Sequence, residues 1–169
     1  MLGSGSKFCV RPGKVADAPA LSRVFRESWL FAYSGIIPHL HLESMVRQRT
    51  PDWWRSALRS GDSTLVLEHV GKVVGYATFG AARQRGAYQG EIYEIYLDPV
   101  HQGVGFGEHL FEGCRHTLDQ RKLRGLIVWA LLDNTAACDF YWRRGGRPVA
   151  SAFTKIGGAK LEKVAFTWR

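Results

Sequence analysis

Apolar positions along the chain change their period several times, and each change marks an element. Residues 7–12 (Lys-Phe-Cys-Val-Arg-Pro) alternate and predict a first strand. From Asp17, a good N-cap residue, to about Phe31 the period becomes helical. Pro19 falls near the first turn, and Leu21, Val24, Phe25 and Ser28 share the inward face. Gly35 and Pro38 end that helix. Helical spacing returns over residues 40–49 and, briefly, 51–59. Residues 63–70 and 72–81 then alternate or run apolar on either side of Gly71, as a hairpin does. Gly75, inside the second run, predicts a bulge or a close backbone approach.

A strand over 89–98, a helix over 105–120, a strand over 122–132 and a helix over 134–144 follow. The apolar run 126–132 is unbroken, as expected for a strand covered on both faces. Asn134 suits the start of the second helix, Arg143 and Arg144 suit its negative end, and Gly145 suits the position just past it. Two closing strands are expected at 147–155 and 160–168 around Gly157-Gly158. The order predicts an α/β domain, a mixed sheet with helices on both sides. No repeat, linker or low-complexity tract interrupts it, so residues 1–169 are expected to form one domain.

Composition narrows the class. A chain of 169 residues that is 46% hydrophobic and 22% charged is globular rather than disordered. No apolar run approaches the roughly 20 residues that span a bilayer, and the opening Met1-Leu2-Gly3-Ser4-Gly5-Ser6-Lys7 lacks the apolar stretch of a secretory signal. The expectation is a cytoplasmic protein without a membrane partner. Cys9, Cys114 and Cys138 are odd in number and far apart, which fits buried, reduced thiols; Cys114 shares an apolar helix face with Leu110, Phe111 and Leu118. His39 and His41 have no nearby cysteine or further histidine to complete a metal site, so no metal is expected. The net charge of +8 is spread along the chain in short clusters such as Arg121-Lys122-Arg124, and no nucleic-acid motif accompanies it.

The candidate chemistry lies in residues 91–110. A buried strand leads through Asp98-Pro99 to Gly103, Gly105 and Gly107 and then to a helix. A helix start has four backbone N–H groups without intrahelical partners and carries partial positive charge, so it attracts anions. Glycines let the backbone close on a phosphate or pyrophosphate. A dinucleotide fingerprint fails in both registers, because it requires glycine at Glu108 or at Leu110. A P-loop fails because no glycine here precedes Lys and then Ser or Thr.

What remains, Gln102-Gly103-Val104-Gly105-Phe106-Gly107 after a strand ending Tyr96-Leu97-Asp98-Pro99, closely resembles the coenzyme A signature of the GNAT superfamily of acyl-CoA-dependent N-acetyltransferases. Gln102, Gly105 and Gly107 fill its fixed positions. A second family pattern is matched by Asn134, Ala137, Phe140, Tyr141 and Gly145, with one departure: Gly146 stands where the family usually has Phe. The resemblance covers nearly the whole chain. It implies the GNAT fold, a mostly antiparallel sheet of six to seven strands that splays between the fourth and fifth.

It also implies a cosubstrate and a site. Acetyl-CoA would lay its pantetheine arm along Ile95, Tyr96 and Leu97 and its pyrophosphate on the N–H groups of residues 102–107, with Asn134 reaching the arm from the other side. Arg143 and Arg144 offer a basic rim. Tyr141 is implied as the general acid beside the sulfur, and the Ile95 N–H as oxyanion donor. For the base, Glu91 is favoured slightly, acting through water, because some lysine-acetylating members keep a glutamate there; Glu94 is the alternative, and strand alternation puts the two on opposite faces. Trp29, Tyr33, His39, Trp53, Trp54 and Phe153 are available for an acceptor pocket or for the core. The implied activity is acetylation of a primary amine on a small molecule or protein, by an enzyme that is often dimeric in this superfamily. A non-catalytic acyl-CoA sensor is the alternative.

Overall fold

A computed structural model describes residues 7–60 and 63–169; the opening segment searched for a signal lies outside them up to residue 6. Among these residues, seven strands form one sheet: β1 (Phe8–Pro12), β2 (Thr64–His69), β3 (Lys72–Ala81), β4 (Gly90–Leu97), β5 (Leu126–Leu131), β6 (Arg147–Ile156) and β7 (Ala159–Trp168). Their spatial order is β1-β2-β3-β4-β5-β7-β6. Every pairing is antiparallel except β4 with β5. Among the described residues, five α-helices accompany the sheet: α1 (Ala18–Tyr33), α2 (His39–Gln48), α3 (Pro51–Ser60), α4 (Phe106–Gln120) and α5 (Thr135–Arg143).

The helices divide between the sheet faces, and so does the core. Leu21, Val24 and Phe25 of α1 pack with Leu42, Trp54, Val66 and Tyr76 on one face. Leu110, Phe111 and Cys114 of α4 pack with Phe79, Ile92, Val128 and Tyr141 on the other. Cys114 is core, as its helix face predicts, whereas Cys9 is exposed and Cys138 half-buried, so thiol burial holds for only one of the three. Cys9 sits on β1, which has a single strand neighbour.

Three local details bear on the expectations. Asp17 precedes α1 but does not cap it through its side chain. Its carboxylate instead accepts from the Lys14 N–H at 2.8 Å and from Arg11 at 2.8 and 3.0 Å, tying β1 to the short turn before the helix. That hydrogen bonding with Arg11 holds the Asp17 carboxyl below its usual range. Gly75 meets both readings made of it. The β2–β3 register shifts beside it, and a Cβ at that position would lie 2.4 Å from Leu97 Cδ2. At Gly146 a Cβ would lie 2.4 Å from the Trp168 indole. Trp168 fills the space beneath α5, and its indole N–H donates to the Arg144 carbonyl at 3.0 Å.

Candidate active site

The parallel pair β4–β5 keeps register only at Gly90 with Leu126 and Glu91 with Ile127. Beyond those residues the strands part. The Asp98 N–H donates to the Val74 carbonyl at 2.8 Å, on the β3 side. Because strand N–H groups alternate in direction, Tyr96 also turns its backbone to β3, while Ile95 and Leu97 turn theirs to the gap. The Leu97 carbonyl accepts from Gln102 Nε2 at 3.3 Å. Tyr96 therefore offers the gap its ring rather than its main chain.

A cleft of about 710 Å³ runs through this gap. Its walls come from both sheet faces, which a closed sheet would keep apart. On one side stand Gln102, Gly103, Gly105 and Gly107 with α5; on the other stand residues of α1 and the outer half of β4.

The glycine loop follows a fastened turn. Asp98 accepts from the Val100 N–H at 3.3 Å and from Arg23 at 3.2 Å, and Arg23 also donates to the Val73 carbonyl at 2.8 Å. Gly103 and Gly105 then adopt φ of +78° and +89°, a region that L side chains rarely enter. Nothing lies within 4 Å of a Cβ built on either. Gly107 has a different reason: a Cβ there would come 3.1 Å from the Phe140 ring, so it lets α4 approach α5. Val104 is exposed, and Phe106 is buried against Phe8 and His69 rather than in the cleft wall. These two supply backbone to the loop. Arg143 and Arg144 border the cleft, Arg144 held by Glu108 at 2.8 Å.

On α5 the Asn134 carboxamide accepts from the Ala137 N–H at 3.3 Å, the expected cap, and Gly145 follows with φ +92°. Asn134, Ala137, Phe140 and Tyr141 all reach the cleft wall. The Tyr141 ring is buried among Phe140, Phe166 and Trp168. Burial pushes its phenol far above the ordinary tyrosine range, so it holds its proton.

The two carboxylates differ sharply. The β3–β4 register shifts so that Thr78 faces Glu94 and Phe79 faces Ile92, which makes Tyr93 a bulge residue. Ile92 and Ile95 consequently share one face despite being three apart. Glu94 then shares the opposite face with Glu91, where uninterrupted alternation would separate them. Only Glu94 lines the cleft. Glu91 is 2% exposed, and both its oxygens are taken by Arg83, through the backbone N–H at 3.0 Å and the guanidinium at 2.5 and 3.1 Å.

Several residues of the site have no signal in the local sequence. Arg49, Tyr76 and Thr78 donate to Glu94 at 3.1, 3.2 and 3.3 Å. The Arg49 guanidinium lies between the Phe25 and Trp53 rings, 4.4 and 4.0 Å from their centroids. Tyr33 and Tyr96 share a hydrogen bond of 2.6 Å between phenol oxygens in the cleft wall. Of the aromatics considered for an acceptor pocket, Tyr33 lines the cleft, whereas Trp54 is core and Phe153 is exposed on β6. Among the described residues, no group of three or more metal-ligating side chains converges and no helix is long and apolar enough to cross a membrane.

A splayed parallel pair, a glycine-turned helix start and a tyrosine at their junction define a class of fold. The Acetyltransferase (GNAT) family matches residues 22–146, and this chain belongs to that family. It is 31% identical over 160 residues to an uncharacterized N-acetyltransferase, YuaI, of Bacillus subtilis, covering 94% of this chain and 91% of that one. Its fold is similar to that of PaiA N-acetyltransferase from Thermoplasma acidophilum in complex with coenzyme A, with a TM-score of 0.75 at 18% identity over 93% and 98% of the two chains. YncA of Salmonella typhimurium, solved with its cofactor acetyl-CoA, is comparable: TM-score 0.72, 21% identity, 97% and 94% of the two chains.

Proposed function

We propose that this chain transfers an acetyl group from acetyl-CoA to a primary amine by direct attack on the thioester. The observation that carries this reading is the cleft itself, which joins the glycine-turned start of α4 to Tyr141 and Glu94 through the β4–β5 gap. The site suits the cosubstrate. Unpaired N–H groups at the α4 start suit a pyrophosphate, and the outward backbone of Ile95 and Leu97 suits the amides of a pantetheine arm, much as a strand edge accepts another strand. Arg143 and Arg144 add positive charge at the mouth.

The chemistry then falls to four groups. Glu94 takes the proton that the ammonium must lose before nitrogen can attack, directly or through water. The Ile95 N–H, which points into the gap, donates to the carbonyl oxygen as negative charge grows there. As the new N–C bond forms and the C–S bond breaks, Tyr141 gives its proton to the departing sulfur, and the second proton that the nitrogen sheds on becoming an amide returns through water to the Tyr141 phenolate. Asn134 positions the arm from the α5 side. Glu91 is left a structural role, because it is buried and stands outside the cleft wall, whereas Glu94 lines it.

Thiol release from acetyl-CoA, followed across a broad panel of primary amines, tests the reading. Amine-dependent release is expected. Tight binding of acetyl-CoA with no release for any amine would instead describe an acyl-CoA sensor.

A further inference from the structure

We propose that the hydrogen-bonded phenols of Tyr33 and Tyr96 supply a second donor to the thioester carbonyl oxygen, beside the Ile95 N–H, and so act as catalytic residues of the transfer. This rests on the reading of the β4–β5 gap as the seat of acetyl-CoA.

Two hydroxyls in contact carry two protons, and the contact itself uses only one. The phenol oxygens of Tyr33 and Tyr96 stand 2.6 Å apart in the cleft wall, so one O–H of the pair is left over. The Asn134 carboxamide does not take it up. Its oxygen already accepts from the Ala137 N–H at 3.3 Å. Burial raises the Tyr33 phenol, and hydrogen bonding from Tyr96 and Asn134 works against that rise, which is the action of donors. Among the described residues, none accepts the spare proton. A donor set in a wall that the ligand would dry out calls for an acceptor on the ligand.

Both rings are held in place. Tyr33 packs edge-on against Trp29 with centroids 4.8 Å apart, and Tyr96 lies 5.8 and 6.0 Å from Trp29 and Tyr76. The Tyr33 carbonyl accepts from the Ile36 and Ile37 N–H groups at 3.0 Å each, which fixes the end of α1 that carries the ring. A pair held in this way need not reorganise as charge develops on the ligand. Burial also keeps both phenols protonated at neutral pH.

Location selects the ligand atom. The gap would admit two kinds of carbonyl, the amides of the arm and the thioester. Burial first, and then the nearness of Tyr33, raise the Tyr141 phenol, so Tyr33 neighbours the group assigned to the sulfur. The carbon bonded to that sulfur is the thioester carbonyl. Tyr96, in turn, follows Ile95, whose N–H is assigned to the same oxygen. When the amine adds, negative charge grows on that oxygen, and a donor already aimed at it lowers the barrier.

The test is infrared difference spectroscopy of acetyl-CoA isotope-labelled at the thioester carbonyl and bound to the wild-type protein, Tyr33→Phe, Tyr96→Phe and the double variant. Calorimetry and melting curves on the same preparations report affinity and folding. A hydrogen bond to a carbonyl lowers its stretching frequency. Removing both hydroxyls is expected to raise the frequency of the bound carbonyl, to leave acetyl-CoA affinity within a few-fold, and to lower kcat by about 10²-fold for an amine that the wild type acetylates. An unchanged frequency in the double variant overturns the proposal. Loss of affinity without a change in frequency also overturns it, since the spare O–H would then serve the arm. Should the double variant fail to fold, the single variants decide, and a frequency raised in neither overturns the proposal. Absence of acetyl-CoA uptake by the wild-type protein overturns the underlying assignment instead.

Discussion

Arg49 Nη1 stands 3.1 Å from Glu94 Oε1, and the guanidinium that makes this contact is itself clamped between Phe25 and Trp53. A residue just past α2 thus fixes a carboxylate on the central strand. Clamping matters because the side chain has little freedom left to lose when it orients its partner. Arg49→Leu is expected to leave acetyl-CoA binding near wild type and to lower kcat/KM for amines by about 10- to 100-fold, the range expected for a misplaced catalytic group. Steady-state kinetics beside calorimetry checks it.

The two glutamates should respond oppositely. Glu94→Gln keeps the side-chain shape but removes the proton acceptor, so turnover should fall by about 10²- to 10⁴-fold with the fold intact. Glu91→Gln should keep turnover within a few-fold of wild type and lower the unfolding free energy by about 1–3 kcal/mol, because a buried acceptor of charged hydrogen bonds is weakened. Denaturant unfolding and amine-dependent thiol release separate the two. Loss of turnover in Glu91→Gln with Glu94→Gln active would reverse the assignment.

Burial raises the phenols of Tyr33, Tyr76, Tyr96 and Tyr141 above their ordinary range. Below about pH 10 these phenols are protonated in the folded and unfolded chains alike. Above it only the unfolded chain releases its protons, so stability falls as pH rises. Chemical unfolding midpoints are expected to be insensitive to these groups up to about pH 9.5 and to drop steeply beyond pH 10. Replacing Tyr141 with Phe should lessen that alkaline slope, and it should also lower kcat by about 10²-fold or more while acetyl-CoA still binds.

Gly105 and Gly107 predict different failures. Gly105→Ala meets no atom within 4 Å but must hold φ near +89°, at a backbone cost of about 1–2 kcal/mol. It should weaken coenzyme A binding by about 10-fold with little change in the thermal midpoint, as the loop relaxes away from its binding shape. Gly107→Ala presses on Phe140 at 3.1 Å, so it should lower thermal stability as well. Calorimetry and melting curves on the two variants distinguish backbone conformation from packing.

Local rules are legible in the chain where they are strong. Glycines at 103, 105 and 145 and the Asn134 cap each follow from conformation within a few residues, and each stands where expected; the apolar run of β5 does form a strand, but over Leu126–Leu131, and only Leu126 and Val128 of it are buried. Periodicity fails where one extra residue alters a count. The bulge at Tyr93 changes the parity of β4, so alternation taken from Glu91 puts Glu94 on the wrong face. The Arg49–Glu94 pair spans 45 positions and the Tyr33–Tyr96 pair 63, and no periodicity reports contacts made by folding over such distances. Gly146 is a related case. The departure from the family pattern is visible in the chain, but its partner Trp168 is not, because their contact joins the end of α5 to the last residue of β7.

The most direct measurement is an experimental structure of the protein with acetyl-CoA bound. The expected result is the pyrophosphate on the N–H groups of residues 102–107, the pantetheine arm in the gap between β4 and β5, the thioester oxygen on the Ile95 N–H, and the sulfur within reach of the Tyr141 hydroxyl. A cosubstrate seated outside that gap, or a sulfur facing away from both Tyr141 and Glu94, contradicts it.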